Sequence, residues 1–401
     1  MIMKGINIKV LLVAILYTGI NVGAWSQYTF FTPEGSFAIE VSLENTDLKR
    51  LPIYRNAITS LAVVGDYAVG GTSADAGLSP FLFTASLKDR DVTDILDVSE
   101  VIKGQQKIQS GFVKNSQGVL FAGTVEQVSG EGGHLIKVSL NKKGMLELED
   151  LGIPVSGEGV FAITSDASVT TLYGVTYPSG NFFVFDVKSR KSKVFKDVAP
   201  SEKVAFSLED HFSITPADYL SRALVTDKDG LVYGSLPYGK IFYFNPADET
   251  FTTMEEELPE VWGRRSLGQV HSWLKTADGK VYGANRADGQ LFELNTTTKK
   301  VKNLGKPIMM PGIAGLAEGA DGRIYGISGE APGYAHLFSY SETEGFKDYG
   351  NPQFDMVAPG IEQGISWRGF QLSTIAASED GNYIVIGEGE SLSQLMVFPA
   401  K

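Results

Sequence analysis

Four histidines are spread through the 401 residues, at His134, His211, His271 and His336, and no two lie at short spacing. An imidazole working beside a guanidinium suits one kind of chemistry. The cation neutralises a carboxylate, the neighbouring C–H becomes acidic, and the imidazole takes that proton. Arg222 and His271 fit these two roles, 49 residues apart and at matching points of two successive repeats. With a proton donor for the departing oxygen, Tyr238 or His134, the set would perform a β-elimination. Arg286 and Arg265 are reserves for holding the carboxylate. The chain has no HExxH, no acid-rich calcium loop and no cysteine, so neither a metal nor another cofactor is expected.

The elements that must position these residues announce themselves by repetition. The phrase DGLVYG at Asp229–Gly234 returns as DGKVYG at Asp278–Gly283 and DGRIYG at Asp321–Gly326, with looser copies QGVLFA at Gln117–Ala122 and TTLYG at Thr170–Gly174. The marker aromatics Phe121, Tyr173, Tyr233, Tyr282 and Tyr325 are 52, 60, 49 and 43 residues apart. Each phrase is followed by a Gly- or Pro-bearing hairpin and an alternating apolar strand, such as FFVFD, IFYFN or LFELN. Several short strands in a unit of this length are the signature of a propeller blade. Seven such third strands occur, from FLFTA at Phe81–Ala85 to LMVF at Leu395–Phe398. The expected fold is an all-β, seven-bladed β-propeller of four-stranded antiparallel blades. The last blade stops after its third strand, so the alternating segment 36–43 is expected to supply its outer strand and close the ring. One domain, 27–401, is expected.

The Tyr of the repeat also serves as a ruler. Eleven positions before it the inner strand begins, at Ser110, Ala162, Arg222, His271 and Ala314 in successive blades. Small residues thus give way to a cation and an imidazole in two adjacent blades. The residue just before the third strand is His134, Asn181, Lys240, Gln290, His336 or Gln394, and by analogy with other propellers it should share that face. The hairpins add Tyr177, Tyr238 and Arg286. The connections between blades add His211, Trp262, Arg264, Arg265, Trp367 and Arg368. Such a mouth suits an anionic sugar, since Arg pairs bidentately with carboxylate or sulfate and aromatic faces cover pyranose rings. Tyr233, Tyr282 and Tyr325, being part of the repeat, read as core. Trp273 reads as facing the neighbouring blade.

Composition narrows the partners. The net charge is −12, charged residues are 20% of the chain, and no basic stripe offers a nucleic acid its phosphates. Residues 1–26 read as a signal peptide: Lys4 and Lys9, a short apolar run from Val10 to Leu16, and a small-x-small site at Ala24-Trp25-Ser26. No later stretch reads as a membrane span. An exported protein, periplasmic or secreted and monomeric, is expected.

With its DGxVYG blades and its His, Tyr and Arg mouth, the chain resembles seven-bladed propeller enzymes that degrade polysaccharides, ulvan lyases and related propellers cleaving rhamnose–glucuronate linkages. Similar phrases occur in streptogramin-lyase-like and lactonase-like propellers. The resemblance is one of architecture and carries no catalytic motif with it. It implies a polysaccharide lyase acting on an anionic, uronate-containing polysaccharide or oligosaccharide. A glycoside hydrolase on the same linkages, or a non-catalytic propeller binding glycan or protein, are the alternatives.

Overall fold

The computed structural model describes residues 30–31, 34–42, 49–127, 130–196, 198, 215–259, 268–329, 333–356, 365–369, 371–389 and 393–400. They form seven blades of antiparallel strands, as the repeat requires. Blades three, four and five are separate four-stranded sheets running outward in chain order. Blades one and two share a nine-stranded sheet, joined through a single bridge between Ser73 and Lys107. The sixth blade runs from Ile313–Glu318 to Gly345–Met356 and gains a two-residue parallel strand, Phe30–Phe31, on its outer edge. In the seventh, Phe37–Glu40 pairs antiparallel with Gln394–Pro399, Phe37 opposite Val397 and Glu40 opposite Gln394. The N-terminal strand therefore completes the last blade. The segment 1–26 lies outside the described residues.

The Tyr-Gly phrase has a packing reason. Its tyrosines are buried, and two also anchor their own turns: Tyr233 Oη donates to Asp227 at 3.0 Å and Tyr325 Oη to Asp321 at 2.8 Å. The glycine is there because the far edge of a third-strand phenylalanine ring occupies the space a Cβ would need. A Cβ on Gly174, Gly234, Gly283 or Gly326 would run into the ring of Phe183, Phe242, Phe292 or Phe338. Overfilling such a contact costs roughly 1–3 kcal/mol. Gly283→Ala should therefore lower the unfolding free energy by an amount in that range, read as a lower urea midpoint with the slope unchanged.

Aromatic packing is densest between blades three and four. Phe182 lies 4.9 Å from Phe244 and 5.2 Å from Phe251, with Tyr173 and Phe195 around them. This wedge stiffens the wall from which Arg222 projects.

Candidate active site in the central channel

Inner strands in this fold carry an extra residue where they begin. The antiparallel register slips by one between Val270 and Ser272, leaving His271 as a bulge. The same slip isolates Thr59, Phe161, Ala314 and Ser373 in other blades. A bulge re-aims a side chain, and here it turns a ring of residues toward the axis. In the third blade the extra residue is Phe161, which stays buried beneath the Arg222 guanidinium, while Ala162, the residue the ruler picks, lines the cavity. In the second blade Ser110 is a brace: its hydroxyl accepts the N–H of Gly123 at 2.7 Å, as Ser221 accepts that of Ser235 at 3.0 Å.

The ring bounds a cavity of about 680 Å³ on the propeller axis. Lys107, Arg222, His271 and Arg286 all line it, and no Asp or Glu does among the described residues. Arg222 and Arg286 are thus brought together with His271 as their residue types suggest. Lys107 is new. It sits where blade one meets blade two, its backbone paired with both Ser73 and Val125. The positive side chains come from blades two, four and five. The facing wall, from blades six and seven, is built of small residues, Ala314, Gly315, Gly329, Ser373 and Gly389.

Below this ring lies a second layer, one apolar residue from each blade: Leu61, Phe112, Ile163, Leu224, Trp273, Leu316 and Ile375. Trp273 belongs to this collar, its ring edge-to-face with Phe292 at 5.4 Å, and so faces the channel as well as its own blade.

Arg222 holds the centre of the cationic wall. Its guanidinium lies over the Phe161 ring, 5.6 Å from the centroid, and Phe161 is backed by Tyr177 at 5.6 Å. Tyr177 thus supports Phe161 from behind. Arg222 Nη1 is 3.3 Å from His271 Nε2. A guanidinium can only donate, so Nε2 is the acceptor and His271 carries its proton on Nδ1. Burial, reinforced by Arg222 and then Arg286, holds the imidazole pKa well below its ordinary value and keeps it neutral. Burial and Arg222 also bring Lys107 down from 10.5 to about 8. Arg286 is partly neutralised by Asp218 at 3.1 Å, whose own carboxyl stays below the usual range, burial being outweighed by Thr215 and Arg286.

The slot before the third strand is a different device. His134 Nδ1 bonds Asp150 at 2.8 Å, and Asp150 also accepts the N–H of Gly152 at 2.7 Å. His336, Asp348 and Gly350 repeat this at 2.9 and 2.9 Å. Asn303 donates to Gln290 at 2.5 Å and accepts from Gly305 at 2.8 Å. Lys240 makes an ion pair with Glu257. In all four blades the clamp spans a register slip between strands three and four. His134, Lys240 and His336 therefore lock blade edges and do not line the channel, contrary to the sequence expectation. Tyr238 stands in a short turn, left-handed at φ 65°, and does not line it either. Removing a part-buried clamp of this kind costs roughly 1 kcal/mol. Asp150→Ala should lower the unfolding free energy by about 1 kcal/mol and leave turnover unchanged.

His211, Trp262, Arg264 and Arg265 lie outside the described residues. Trp367 and Arg368 fall on Ile365–Arg368, a strand paired with the end of the sixth blade's outer strand, Trp367 opposite Phe354. Among the described residues no group of three or more His, Asp or Glu is gathered as a metal site.

The chain is similar in fold to streptogramin B lyase. That structure has 9% identity and a TM-score of 0.58, with 91% of this chain and 98% of the other covered. A catalytically inactive histidine-to-alanine variant of virginiamycin B lyase from Staphylococcus aureus, with quinupristin, matches at 10% identity and 0.58, covering 90% and 99%. The selenomethionine form of the same lyase matches at 8% and 0.57, covering 91% and 100%. At such identities the likeness is one of fold. No protein-family model and no curated protein matches the sequence.

Proposed function

We propose that the channel is the active site of a β-eliminating lyase acting on a carboxylate-bearing glycan, a uronate-containing polysaccharide or oligosaccharide. One observation carries this reading: a donor-only guanidinium holds a neutral imidazole by its lone pair, in a channel whose described charged side chains are all basic. The incoming carboxylate competes for Arg222 and forms the stronger, charge-assisted bond. As Arg222 turns to the carboxylate, Nε2 of His271 is released. Recognition and activation of the base are then one event.

Nε2 takes the proton from C5, next to the carboxylate. The C–H electron pair becomes the C4=C5 double bond and the C4–O bond breaks. Lys107 is the proton donor for the departing oxygen, replacing Tyr238 and His134 in that role. His271 then returns its proton to solvent and Lys107 regains one. Each proton transfer contributes typically about 10²–10⁴-fold.

Structures of similar fold include a streptogramin B lyase and a virginiamycin B lyase whose histidine-to-alanine variant is catalytically inactive, which supports a lyase reading. A glycoside hydrolase is the weaker reading, because it needs two flanking carboxyl groups and the described lining offers none. The experiment is incubation with glucuronate-containing polysaccharides, following the ultraviolet absorbance of the conjugated product. Cleavage without that absorbance would mean hydrolysis, and a ligand bound but left intact would mean a binding propeller.

The pH profile of kcat/KM provides a further check. His271 is competent while neutral, so activity should not fall as pH drops through 6.5, its ordinary value. Lys107 is competent while protonated, so activity should fall as pH rises through about 8. An acid limb near 6.5 would contradict the assignment of the base.

A further inference from the structure

We infer, resting on the lyase reading above, that the polysaccharide lies across the mouth of the channel and is held on either side of it by Tyr54 and Tyr238. The molecule leaves its large apolar side chains in water mainly at one end. Inner strands begin at the mouth, so the hairpins between second and third strands and the links between blades lie at that end. Exposed Tyr54, Leu78, Val101, Tyr238, Met309 and Tyr334 all stand on such segments. Among the described residues, only Met145 and Tyr383 of this kind stand at the other end. Apolar surface gathered on one face of a soluble protein marks an interaction surface.

Two of the six are set on disfavoured backbone. Tyr54 is 60% exposed at φ 69°, and Tyr238 is 38% exposed at φ 65°. The other non-glycine residues at positive φ, Arg90, Val169, Arg190, Glu249 and Lys299, are in hairpins at the far end. Left-handed backbone is costly for a residue with a Cβ, and such strain gathers at functional sites. Both tyrosines are tied to the cationic wall. The Tyr54 carbonyl accepts the N–H of Asp75 at 2.8 Å, and Ala74 donates its N–H to Gln106, the neighbour of Lys107, at 2.9 Å. Tyr238 follows Leu236, which packs with the Phe161 that underlies Arg222. Blades one and four are three steps apart in a ring of seven, so the two tyrosines stand nearly opposite across the mouth. The line between them starts beside Lys107 and ends beside Arg222. A cavity of about 680 Å³ is of the size usual for small ligands, roughly 300–1,000 Å³, so most of a polysaccharide must lie outside it, on the rim. With a sugar ring against each tyrosine, a uronate between them sits over the channel with its carboxylate toward Arg222, and the linkage broken is an internal one.

The test compares kcat/KM on a glucuronate-containing polysaccharide with kcat/KM on the shortest oligosaccharide cleaved, a ratio that cancels any loss of folded protein. Tyr54→Ala and Tyr238→Ala should each lower that ratio by about three- to tenfold, the scale of one lost ring contact. Tyr54→Phe and Tyr238→Phe, which keep the ring, should hold the parent ratio. Tyr383→Ala, at the far end, should hold it too. The first products of the parent should be fragments of intermediate length. A ratio unchanged in both alanine variants, or single units released before any longer fragment, would overturn the rim reading and leave the lyase standing. No ultraviolet-absorbing product from the parent on either substrate would overturn the lyase reading and this one with it.

Discussion

His271→Ala should reduce kcat/KM for elimination by about 10²–10⁴-fold, the usual contribution of a positioned base, without unfolding the propeller. The position supports that separation. His271 is the extra residue of a bulge, outside the paired register of Val270 and Ser272, so the ladder does not depend on its side chain. Circular dichroism and the urea midpoint should stay near those of the parent. A stability effect follows as well. The folded pKa of His271 is depressed below the unfolded 6.5, so the unfolded chain binds more protons as pH falls. Stability contributed by the neutral imidazole is present above pH 6.5 and is lost as pH falls below it toward the folded value. The alanine variant should lack that part of the acid sensitivity. Full activity in His271→Ala would remove the imidazole from the mechanism, whatever else the channel does.

Lys107→Met should abolish most activity on natural linkages and make the protein more stable at neutral pH. The ammonium is held in a part-buried site beside Arg222 and is lowered from 10.5 to about 8. At about 1.4 kcal/mol per unit, that drop is a penalty of about 3 kcal/mol on the folded state. The sign follows from proton binding. Below pH 8 the folded protein carries the charged lysine and the whole penalty; between 8 and 10.5 it releases the proton that the unfolded chain keeps, and the penalty fades. The parent should therefore gain stability across that window relative to the variant, and the advantage of Lys107→Met should be largest at pH 7 and vanish near 10.5. Loss of activity with gain of stability is the pattern of a group kept for function. A substrate with a leaving group that needs no proton should recover much of the lost rate in Lys107→Met, since only departure of a basic oxygen needs the acid. If the variant is equally slow with both leaving groups, Lys107 is not the proton donor.

The blades could be read in the sequence because their signal is local and repeated. DGKVYG states a turn, a core tyrosine and the glycine under Phe292 within six residues. The outer strand at Phe37–Glu40 was legible from alternation and from a blade left one strand short. Arg222 and His271 stood out as departures from the repeat. Phe161 did not, because a bulge shifts the count by one and leaves no mark in the period. Lys107 was invisible to the ruler because the inner strand of the second blade is broken, into Gln105–Ile108 and Val113–Lys114, and the lysine lies in the outlying piece. One face of a propeller is not one site, and His134 and His336 stand at blade edges away from the channel lining. Their signal was present: Asp150-Leu151-Gly152, Asn303-Leu304-Gly305 and Asp348-Tyr349-Gly350 follow the slot in three blades, with the glycines at φ 97°, 103° and 94°. A polar residue answered by Asp or Asn two places before a left-handed glycine is a fastening, and it recurs in the second, fifth and sixth blades, where strands three and four slip in register.

The N-terminal segment touches two blades, through Phe30–Phe31 against Asn351 and Pro352 and through Phe37–Glu40 against Gln394–Val397. These partners are more than 300 residues away in sequence. The first strands to be made thus wait for the last, and until the final blade exists the ring has an open seam and an unpaired edge. Non-local pairing of this kind is slow, because loop closure must come before the contacts that reward it. The cavity at the centre has no complete wall until the seam shuts, since Ser373 and Ile375 belong to the closing blade. A nascent or truncated chain can hold six blades' worth of core and still have no chamber in which Arg222 and His271 could do their work.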